Sequence, residues 1–430
     1  MNRPNRARIE AAQLRQLDAL LRAILPRNRF YAQKLAAAGF SRRRRAASLP
    51  ELLARIPFTT KAELVADQTA HPPFGTHHTF PLARYSRFHQ TSATTGTPLR
   101  WLDTAADWSA MVDTWTQVYR AAGIGGSAPD RVFFPFSFGP FIDFWLAFEA
   151  AERLGCLCIS GGGLSSAARL RSLVAHGATA ICCTPTYALR LGEAAEEENL
   201  SLHDIHVKTL FVAGEPGGSI PAVRERISRL WQGARVLDHH GMTEIGPVTY
   251  ESPRRPCTLI VMEHAYLAEV LDPATQREVG IGETGELVLT TLGRIGAPLL
   301  RYRTGDLVRK SYFGARLALD GGILSRADDM IFIRGVNLYP SAVERVVRSF
   351  PEISEFRVEV RQDRSMTEVA VQIEPRPDVA GVPGLAERLA ASFQLSFALR
   401  IPVTAVRPGT LPQFEMKAKR WVTVKPAEAR

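Results

Sequence analysis

The stretch R-V-F-F-P-F-S-F-G-P-F-I-D-F-W-L-A-F-E-A-A-E-R-L-G-C-L-C-I-S, residues 131–160, decides the fold of this chain. A short apolar run of strand length is followed by a longer segment of helical length, and then by a second short apolar run. The same order repeats as far as residue 238. We predict strands over 131–136, 156–160, 180–184, 209–213 and 235–238, and helices over 141–154, 166–176, 187–199 and 220–231. This alternation predicts an α/β fold, in which a parallel sheet carries helices on both faces.

The segments on either side of this alternation indicate further parts of the molecule. Residues 7–38 have a helical period, and Thr60, with Glu63 three residues later, predicts a capped helix. From residue 259 short strands alternate with turns, which predicts a β-rich subdomain. After residue 326 the order strand, helix, strand, strand, helix predicts a small α+β domain. We therefore predict a large domain over 1–326 and a mobile C-terminal domain over 327–430.

The composition is that of a globular protein. The chain has 430 residues, 46% of them apolar and 22% charged, and its length requires at least two domains. No apolar run approaches the ~20 residues of a membrane span, and the Arg-rich start lacks the apolar core of a secretory signal, so we expect a cytoplasmic protein. The net charge of +10 comes without a nucleic-acid-binding motif. We therefore expect no nucleic-acid partner, whereas anionic substrates such as ATP would suit the positive field.

A run of small hydroxyl residues around one glycine, T-S-A-T-T-G-T-P-L-R-W, occupies residues 91–101. Small side chains let backbone N–H groups approach an anion, and the hydroxyls are further donors, so the run could bind a polyphosphate. A solvated loop has the same composition, and the run alone leaves both interpretations open. Four motifs follow in order: H-G-M-T-E at 240–244, R-Y-R-T-G-D at 301–306, R-A-D-D-M-I-F-I-R-G at 326–335 and M-K-A-K-R at 416–420. Their order and separation, more than any single motif, point to a function.

With these motifs in this order, the chain resembles the adenylate-forming superfamily of acyl-CoA ligases, and most closely the phenylacetate–CoA ligase family. Three segments are similar to segments of that family: N-R-F-Y-A-Q-K-L and I-P-F-T-T-K-A-E-L near the N-terminus, and V-N-L-Y-P-S-A-V-E at 336–344. The resemblance covers essentially the whole chain. It implies an enzyme that uses ATP, Mg²⁺ and coenzyme A. A carboxylic acid and ATP would form an acyl-adenylate and pyrophosphate, and a thiol would then displace AMP.

The resemblance also implies roles for individual residues, most of them in binding the nucleotide. The nucleotide-binding residues would be Ser92, Thr94, Thr95 and Gly96 at the phosphates, Gly214, Glu215 and Pro216 at the adenine, Asp238, His240 and Gly241 in the motif that stacks on the adenine, Thr243 at the α-phosphate, Asp306 at the ribose, and Arg326. Glu244 would coordinate Mg²⁺, which suits carboxylate oxygen. Taken alone, Glu244 could equally be a helix-start carboxylate and Asp306 a turn residue.

The remaining implied roles concern catalysis, domain rotation and the acid. Lys417 would reach into the site during adenylation and neutralise the charge that develops on the α-phosphate and the carboxylate. Thr243 and Glu244 would be the other catalytic residues, through their contacts with the α-phosphate and Mg²⁺. Asp328 would be the hinge of the small domain. Phe136 and Phe141 would line a pocket for an aromatic or other hydrophobic carboxylic acid.

Several positions depart from the family pattern. Ala93 and Thr97 stand where glycine and lysine are usual, so the phosphate loop lacks one cation, which Arg100 could replace. Ser325 and Met416 stand where glycine is usual. These departures keep open a catalytically degenerate protein that binds a nucleotide or an acyl group. A further alternative is the loading of an acyl carrier protein, whose phosphopantetheine arm ends in the same thiol. The sequence leaves a homodimer open.

Overall fold

A five-stranded parallel sheet forms the centre of the large domain, and the other elements are arranged around it. The computed structural model describes residues 3–41, 46–91, 98–126, 130–198, 200, 205–327, 331–333, 336–363, 366–377, 384–397, 399–414 and 418–424. The helices are α1 (Arg3–Ile24), α2 (Arg29–Ala37), α3 (Leu49–Leu53), α4 (Lys61–Ala70), α5 (Ala105–Ala122), α6 (Ile142–Arg153), α7 (Ser166–Ala175), α8 (Pro185–Glu197), α9 (Pro221–Leu230), α10 (Pro340–Arg348) and α11 (Leu385–Phe397). The strands are β1 (Tyr85–Gln90), β2 (Arg100–Thr104), β3 (Arg131–Phe134), β4 (Leu157–Ser160), β5 (Ala180–Cys183), β6 (Thr209–Val212), β7 (Arg235–Asp238), β8 (Gly241–Met242), β9 (Gly246–Pro247), β10 (Thr249–Ser252), β11 (Arg255–Val261), β12 (Tyr266–Leu271), β13 (Thr284–Thr291), β14 (Tyr302–Phe313), β15 (Arg316–Arg326), β16 (Ile331–Ile333), β17 (Val336–Leu338), β18 (Ile353–Asp363), β19 (Met366–Pro375), β20 (Val403–Ala405) and β21 (Trp421–Val424).

The parallel sheet has the strand order β4-β3-β5-β6-β7, and every neighbouring pair in it is parallel. One of the helices α6 to α9 lies between each strand and the next along the chain. All four residues of β6 are buried, as expected of a strand in a sheet covered on both faces. The α/β fold and the elements predicted over residues 131–238 are confirmed, with small differences at their ends.

The N-terminal segment with a helical period, residues 7–38, is helical but is not one continuous helix. It divides into α1 and α2. Pro26 disfavours helical geometry at the residue before it, and α1 ends at Ile24. Asn28 then starts α2, because its side chain accepts a hydrogen bond from Tyr31 N at 3.0 Å. The predicted cap at Thr60 is confirmed, since Thr60 and Glu63 form a reciprocal capping box at the start of α4.

The β-rich part of the large domain is a six-stranded antiparallel sheet with the order β10-β11-β15-β14-β13-β12. Within it, the register of β14 against β15 sets Asp306 opposite Arg326. Its buried apolar residues share one core with α5, α6 and the parallel sheet. Among the described residues, no helix has the length and apolar character needed to cross a membrane.

The C-terminal part builds its own core around a four-stranded sheet with the order β20-β19-β18-β21. It contacts the large domain through hydrogen bonds as well as packing. Arg226 Nη1 of α9 donates to Ile353 O at 3.0 Å, and the hydroxyl of Ser341 donates to Leu324 O. A small α+β unit is therefore present. Its boundary at residue 327 stays a prediction.

Candidate active site

The loops that follow β6 and β7 lie side by side at the carboxyl edge of the parallel sheet. The last residues of these strands, Val212 and Asp238, are paired in the sheet. We call residues 213–219 the Glu215 loop and residues 239–247 the Glu244 loop. Gly218 permits a close approach, because a Cβ atom there would lie 2.6 Å from both Asp238 Cγ and Val212 Cγ2. Two predicted binding loops thus meet at the edge where α/β sheets bind ligands.

Residues from three separate motifs converge on the carboxylate of Asp306. His240 Nε2, from the Glu244 loop, lies 3.3 Å from Asp306 Oδ2. Arg326 Nη1, at the end of β15, lies 3.6 Å from Asp306 Oδ1. Asp306 is buried, whereas 39% of the Arg326 side chain is exposed. A carboxylate is a strong hydrogen-bond acceptor, so this arrangement suits a ligand that carries hydroxyl groups.

Glu244 is a buried acid surrounded by donors. Tyr302 Oη donates to Glu244 Oε1 at 3.4 Å, and Lys61 Nζ lies 3.5 Å from the same oxygen. Arg294 Nη1 donates to the backbone oxygen of Glu244 at 2.7 Å, and its Nε is itself 2.6 Å from Asp103 Oδ1. Burial, and then the charge of Glu244, raise the pKa of Tyr302. This phenol therefore keeps its proton at neutral pH and remains a donor.

Glu244 also fits the predicted role as a magnesium ligand, because its side chain offers carboxylate oxygens. Mg²⁺ usually binds one or two protein carboxylates together with substrate phosphates, and it keeps several waters. In the part of the chain that the structure describes, no group of three or more His, Cys, Asp or Glu side chains could hold a metal ion. Glu244 would therefore hold Mg²⁺ as a single protein carboxylate, together with the phosphates of the substrate.

A short hairpin gives the Glu244 loop its shape. β8 pairs with β9, with Gly241 opposite Pro247. A Cβ atom on Gly241 would lie 3.0 Å from Gly246 O and 3.3 Å from Asp143 Oδ1, so a larger residue would be crowded. Thr243 lies between the two strands and is partly exposed. The roles of Gly241 and Thr243 at the nucleotide stay predictions.

The carboxylate of Asp238 links the two loops. Ser219 Oγ, at the end of the Glu215 loop, donates to Asp238 Oδ2 at 2.6 Å. The backbone N of Asp238 donates to Glu251 Oε2, also at 2.6 Å. Burial raises the pKa of Asp238 to about 7, and the charge of Glu251 acts in the same direction. Asp238 therefore supports the geometry of both loops, and its contact with the nucleotide stays a prediction.

Glu215 is hydrogen-bonded to both domains. Its Oε1 accepts from Thr186 N at 2.8 Å, and its Oε2 accepts from Ala418 N of the small domain at 3.1 Å. Arg420, close by, is buried, and its Nε lies 2.6 Å from Glu355 Oε1. Burial alone would lower the pKa of Arg420, but the charges of Glu344 and Glu355 hold it above the usual value.

A cavity of about 470 Å³ opens at this junction. Glu215 and Pro216 line it from the large domain, and Glu344, Phe356 and Trp421 are among its lining residues from the small domain. Gly214, before Glu215, has φ +91°, a backbone conformation that favours glycine. The predicted adenine loop, Gly214 to Pro216, therefore lies at the domain junction.

The predicted acid-binding residues belong to a cluster of aromatic rings at the start of α6. The ring centroids of Phe136 and Phe144 are 4.1 Å apart in a stacked arrangement. Phe141 meets Phe144 edge-on at 6.1 Å. Phe144, which the sequence did not single out, thus connects Phe136 and Phe141. Rings arranged in this way provide a surface that favours a flat apolar ligand.

Three predicted features lie outside the described residues. They are the phosphate loop with Ser92, Thr94, Thr95 and Gly96, the hinge residue Asp328, and Lys417. The structure does describe the residues that flank the phosphate loop. Thr91 N donates to Leu99 O at 3.0 Å. Arg100, which could supply a cation to this loop, instead donates from Nη1 to Pro73 O at 3.0 Å.

Sequence reasoning missed Lys61 and Tyr302 as neighbours of Glu244. Both stand inside motifs that the sequence analysis quoted, I-P-F-T-T-K and R-Y-R-T-G-D. In the first motif only the helix cap, Thr60 with Glu63, carried a prediction, and in the second only the terminal residue, Asp306. In both cases the available signal was a side chain that can donate a hydrogen bond within a quoted motif.

Comparison with known protein families matches two separate regions of the chain. Residues 88–293 match the model of the AMP-binding enzymes, and residues 335–424 match that of the AMP-binding enzyme C-terminal domain. The phenylacetate-coenzyme A ligase of Aromatoleum evansii is 31% identical over 389 residues, which are 87% of this chain and 86% of that protein.

Solved structures of 2-hydroxyisobutyryl-CoA ligase resemble the whole molecule. The structure in the postadenylation state, in complex with 2-HIB-AMP, matches with a TM-score of 0.90 and 30% identity over 98% of this chain and 92% of that one. The same enzyme in the thioesterification state, with 2-HIB-AMP and CoA, covers equal shares at 30% identity with a TM-score of 0.72. The two domains here are therefore arranged more like those of the postadenylation state.

Proposed function

The chain belongs to the phenylacetate–coenzyme A ligase family of AMP-binding enzymes, and we propose that it is an AMP-forming ligase that joins an aromatic or other hydrophobic carboxylic acid to the thiol of coenzyme A. In the first step a carboxylate oxygen attacks the α-phosphorus of ATP, and the bond to the β-phosphate breaks to release pyrophosphate. In the second step the thiolate sulfur attacks the acyl carbon, and AMP leaves. The absence of a membrane-spanning helix among the described residues is consistent with a cytoplasmic enzyme.

The observation that carries this proposal is the convergence of His240, Asp306 and Arg326 beside Glu244. These residues come from three separate motifs, of which two are on the paired strands β14 and β15 and the third is in the Glu244 loop. His240 and Arg326 both lie within 4 Å of one buried carboxylate. Asp306 would accept hydrogen bonds from the ribose hydroxyls, and the partly exposed Arg326 would contact the nucleotide. His240, whose Nε2 lies 3.3 Å from Asp306 Oδ2, would stack on the adenine.

Glu244 would hold Mg²⁺, which when bound neutralises the negative charge of the phosphates. Thr243 would contact the α-phosphate from the same loop, and Lys417 would bring a positive charge to it from the small domain. The Glu215–Ala418 hydrogen bond supports the last assignment, because it holds the backbone of the residue that directly follows Lys417. The positive charges of Mg²⁺ and Lys417, together with the Thr243 hydroxyl as a hydrogen-bond donor, would stabilise the charge that builds up during adenylation.

The Phe136, Phe141 and Phe144 cluster supports an aromatic or hydrophobic acid as the substrate. The thiol is most simply coenzyme A, because the relatives act on it. The pantetheine arm of a carrier protein presents the same thiol. Turnover with coenzyme A compared with holo-carrier proteins distinguishes the two acceptors.

The test of the proposed function is carboxylate-dependent exchange of labelled pyrophosphate into ATP, measured across a panel of aromatic and aliphatic acids. We expect exchange with at least one hydrophobic acid. Asp306→Asn should lower this exchange about tenfold or more, because a charged acceptor of the ribose hydroxyls is lost. Asp320→Asn is the matched control, since Asp320 lies on the same pair of strands but pairs with Arg255 at 2.8 Å. Absence of exchange from folded protein with every acid would refute the proposal.

A further inference from the structure

Lys61 brings a positive charge to the site from outside both regions that match the family models. It is the first residue of α4, and its Nζ lies 3.5 Å from Glu244 Oε1. Half of the Lys61 side chain is exposed, whereas only 5% of the Glu244 side chain is. The Lys61 side chain therefore remains accessible to a ligand while its ammonium group contacts the buried acid.

The backbone that carries Lys61 is fixed to the strand that carries Asp306. Thr59 N donates to Arg301 O at 3.0 Å, and Arg303 N donates to Thr59 O at 2.9 Å. These two bonds hold the I-P-F-T-T-K segment against the beginning of β14, where Tyr302 contacts Glu244. Tyr31 Oη is 3.2 Å from Thr59 Oγ1, so the N-terminal helices support the same segment. The position of Lys61 is thus set by the large domain.

The same helix is bonded to the strand that leaves the predicted phosphate loop. Gln68 Nε2 of α4 donates to Arg100 O at 2.7 Å, and Arg100 N donates to Gln68 Oε1 at 3.0 Å. The guanidinium of Arg100 is meanwhile bonded to Pro73 O. The far end of α4 is therefore fixed to β2, the strand that follows the predicted phosphate loop in the chain. Lys61, at the first position of the helix, contacts Glu244.

We propose that Lys61 binds the polyphosphate of ATP and supplies the positive charge that Thr97 does not. The inference rests on the proposed function, because Glu244 marks the position of the phosphates only if the site adenylates an acid. A flexible lysine can reach from a carboxylate to a phosphate, as a compact charge on a four-carbon stem. A half-exposed ion pair contributes little to folding stability, so stability alone gives a weak reason for this lysine.

The test is calorimetric titration of the full-length protein with MgATP and, separately, with AMP. Lys61→Met should weaken MgATP binding about tenfold, because a charge-assisted contact to the phosphates is lost. AMP lacks the β- and γ-phosphates, so its affinity should change less than about twofold by the same reasoning. Lys61→Arg should restore part of the MgATP affinity. In the exchange assay, Lys61→Met should raise the KM for ATP and leave the KM for the acid unchanged.

Lys34→Met is the matched control. Lys34 forms an ion pair with Glu63 at the same end of α4, so this variant removes a lysine contact from the helix without removing Lys61. It should leave MgATP affinity unchanged. Unchanged MgATP affinity in Lys61→Met, or an equal loss for AMP and MgATP, would overturn the inference. If Lys61→Met does not fold, Lys61→Gln provides the same comparison. A wild-type protein that binds MgATP but shows no acid-dependent exchange would instead refute the proposed function.

Discussion

The Glu215 loop and the Glu244 loop leave adjacent strands of one sheet, yet their acids face different parts of the molecule. Glu244 contacts Tyr302 and Lys61, both in the large domain. Glu215 accepts one hydrogen bond from Thr186 and another from Ala418 of the small domain. Neighbouring loops at one sheet edge therefore have different surroundings.

This difference indicates that the two loops have different roles in the reaction. Contacts of Glu244 do not depend on where the small domain lies, whereas the Glu215–Ala418 bond exists only in an arrangement that brings the domains together. That arrangement is closer to the postadenylation state of 2-hydroxyisobutyryl-CoA ligase than to its thioesterification state. We therefore expect Glu244 to act on adenylation chemistry directly, and Glu215 to act through the position of the small domain.

The largest expected effect is that of Glu244→Gln. The amide cannot bind Mg²⁺ as a carboxylate does, so acid-dependent pyrophosphate exchange should fall roughly a hundredfold, the range found when one electrostatic stabiliser is removed. Thioester formation from a supplied acyl-adenylate and coenzyme A should fall much less. Both rates are measured on the same preparation, with circular dichroism to verify folding. Equal losses in the two half-reactions would show that Glu244 does not serve adenylation specifically.

Glu215→Gln, the same substitution in the neighbouring loop, should have a smaller effect. A neutral amide oxygen accepts weakly from Ala418 N, so pyrophosphate exchange should fall about threefold to tenfold. Thioester formation from supplied acyl-adenylate should stay the same or rise, because the present domain arrangement is loosened. Glu352→Gln is the control, since Glu352 pairs with Arg388 within the small domain at 2.8 Å. A loss as large as that of Glu244→Gln would contradict the division between the loops.

Sequence predicted the central fold well because its signals are local. Each strand between residues 131 and 238 is a short apolar run, and the loops between elements contain Gly, Pro or Ser. Pro26 and Asn28 are equally local signals, and they mark the break between α1 and α2 within the helical period of residues 7–38. The strands β20 and β21 escaped prediction, because three- and four-residue edge strands have too little periodicity to be distinguished from loops.

For the site, the sequence could name residues but not their neighbours. Asp306, His240 and Arg326 follow from motif resemblance, and the structure brings them together. The contacts Lys61–Glu244 and Glu215–Ala418 join segments far apart in the chain, so no local pattern predicts them. They depend on how the N-terminal helices and the small domain pack on the large domain, which is set by tertiary structure.

The smallest expected effect tests whether the two loops are independent, and it concerns Asp238. Its carboxylate joins the start of the Glu244 loop to Ser219 at the end of the Glu215 loop. Burial raises its pKa to about 7 in the folded protein, against an ordinary value near ~3.9. Between these values the folded state binds more protons than the unfolded state, so the free energy of unfolding decreases as pH rises from about 4 to about 7. Asp238→Asn removes this titration. The Tm of the variant minus the Tm of wild type should therefore be larger at pH 8 than at pH 5, by at least roughly 2 °C. Thermal denaturation at both pH values measures it.

The amide can still accept from Ser219 Oγ, so at pH 5 pyrophosphate exchange should be close to that of wild type. Parallel pH dependences of Tm in the two proteins would mean that Asp238 is already ionised in the fold. A large loss of exchange at pH 5 would mean that the two loops act as one unit.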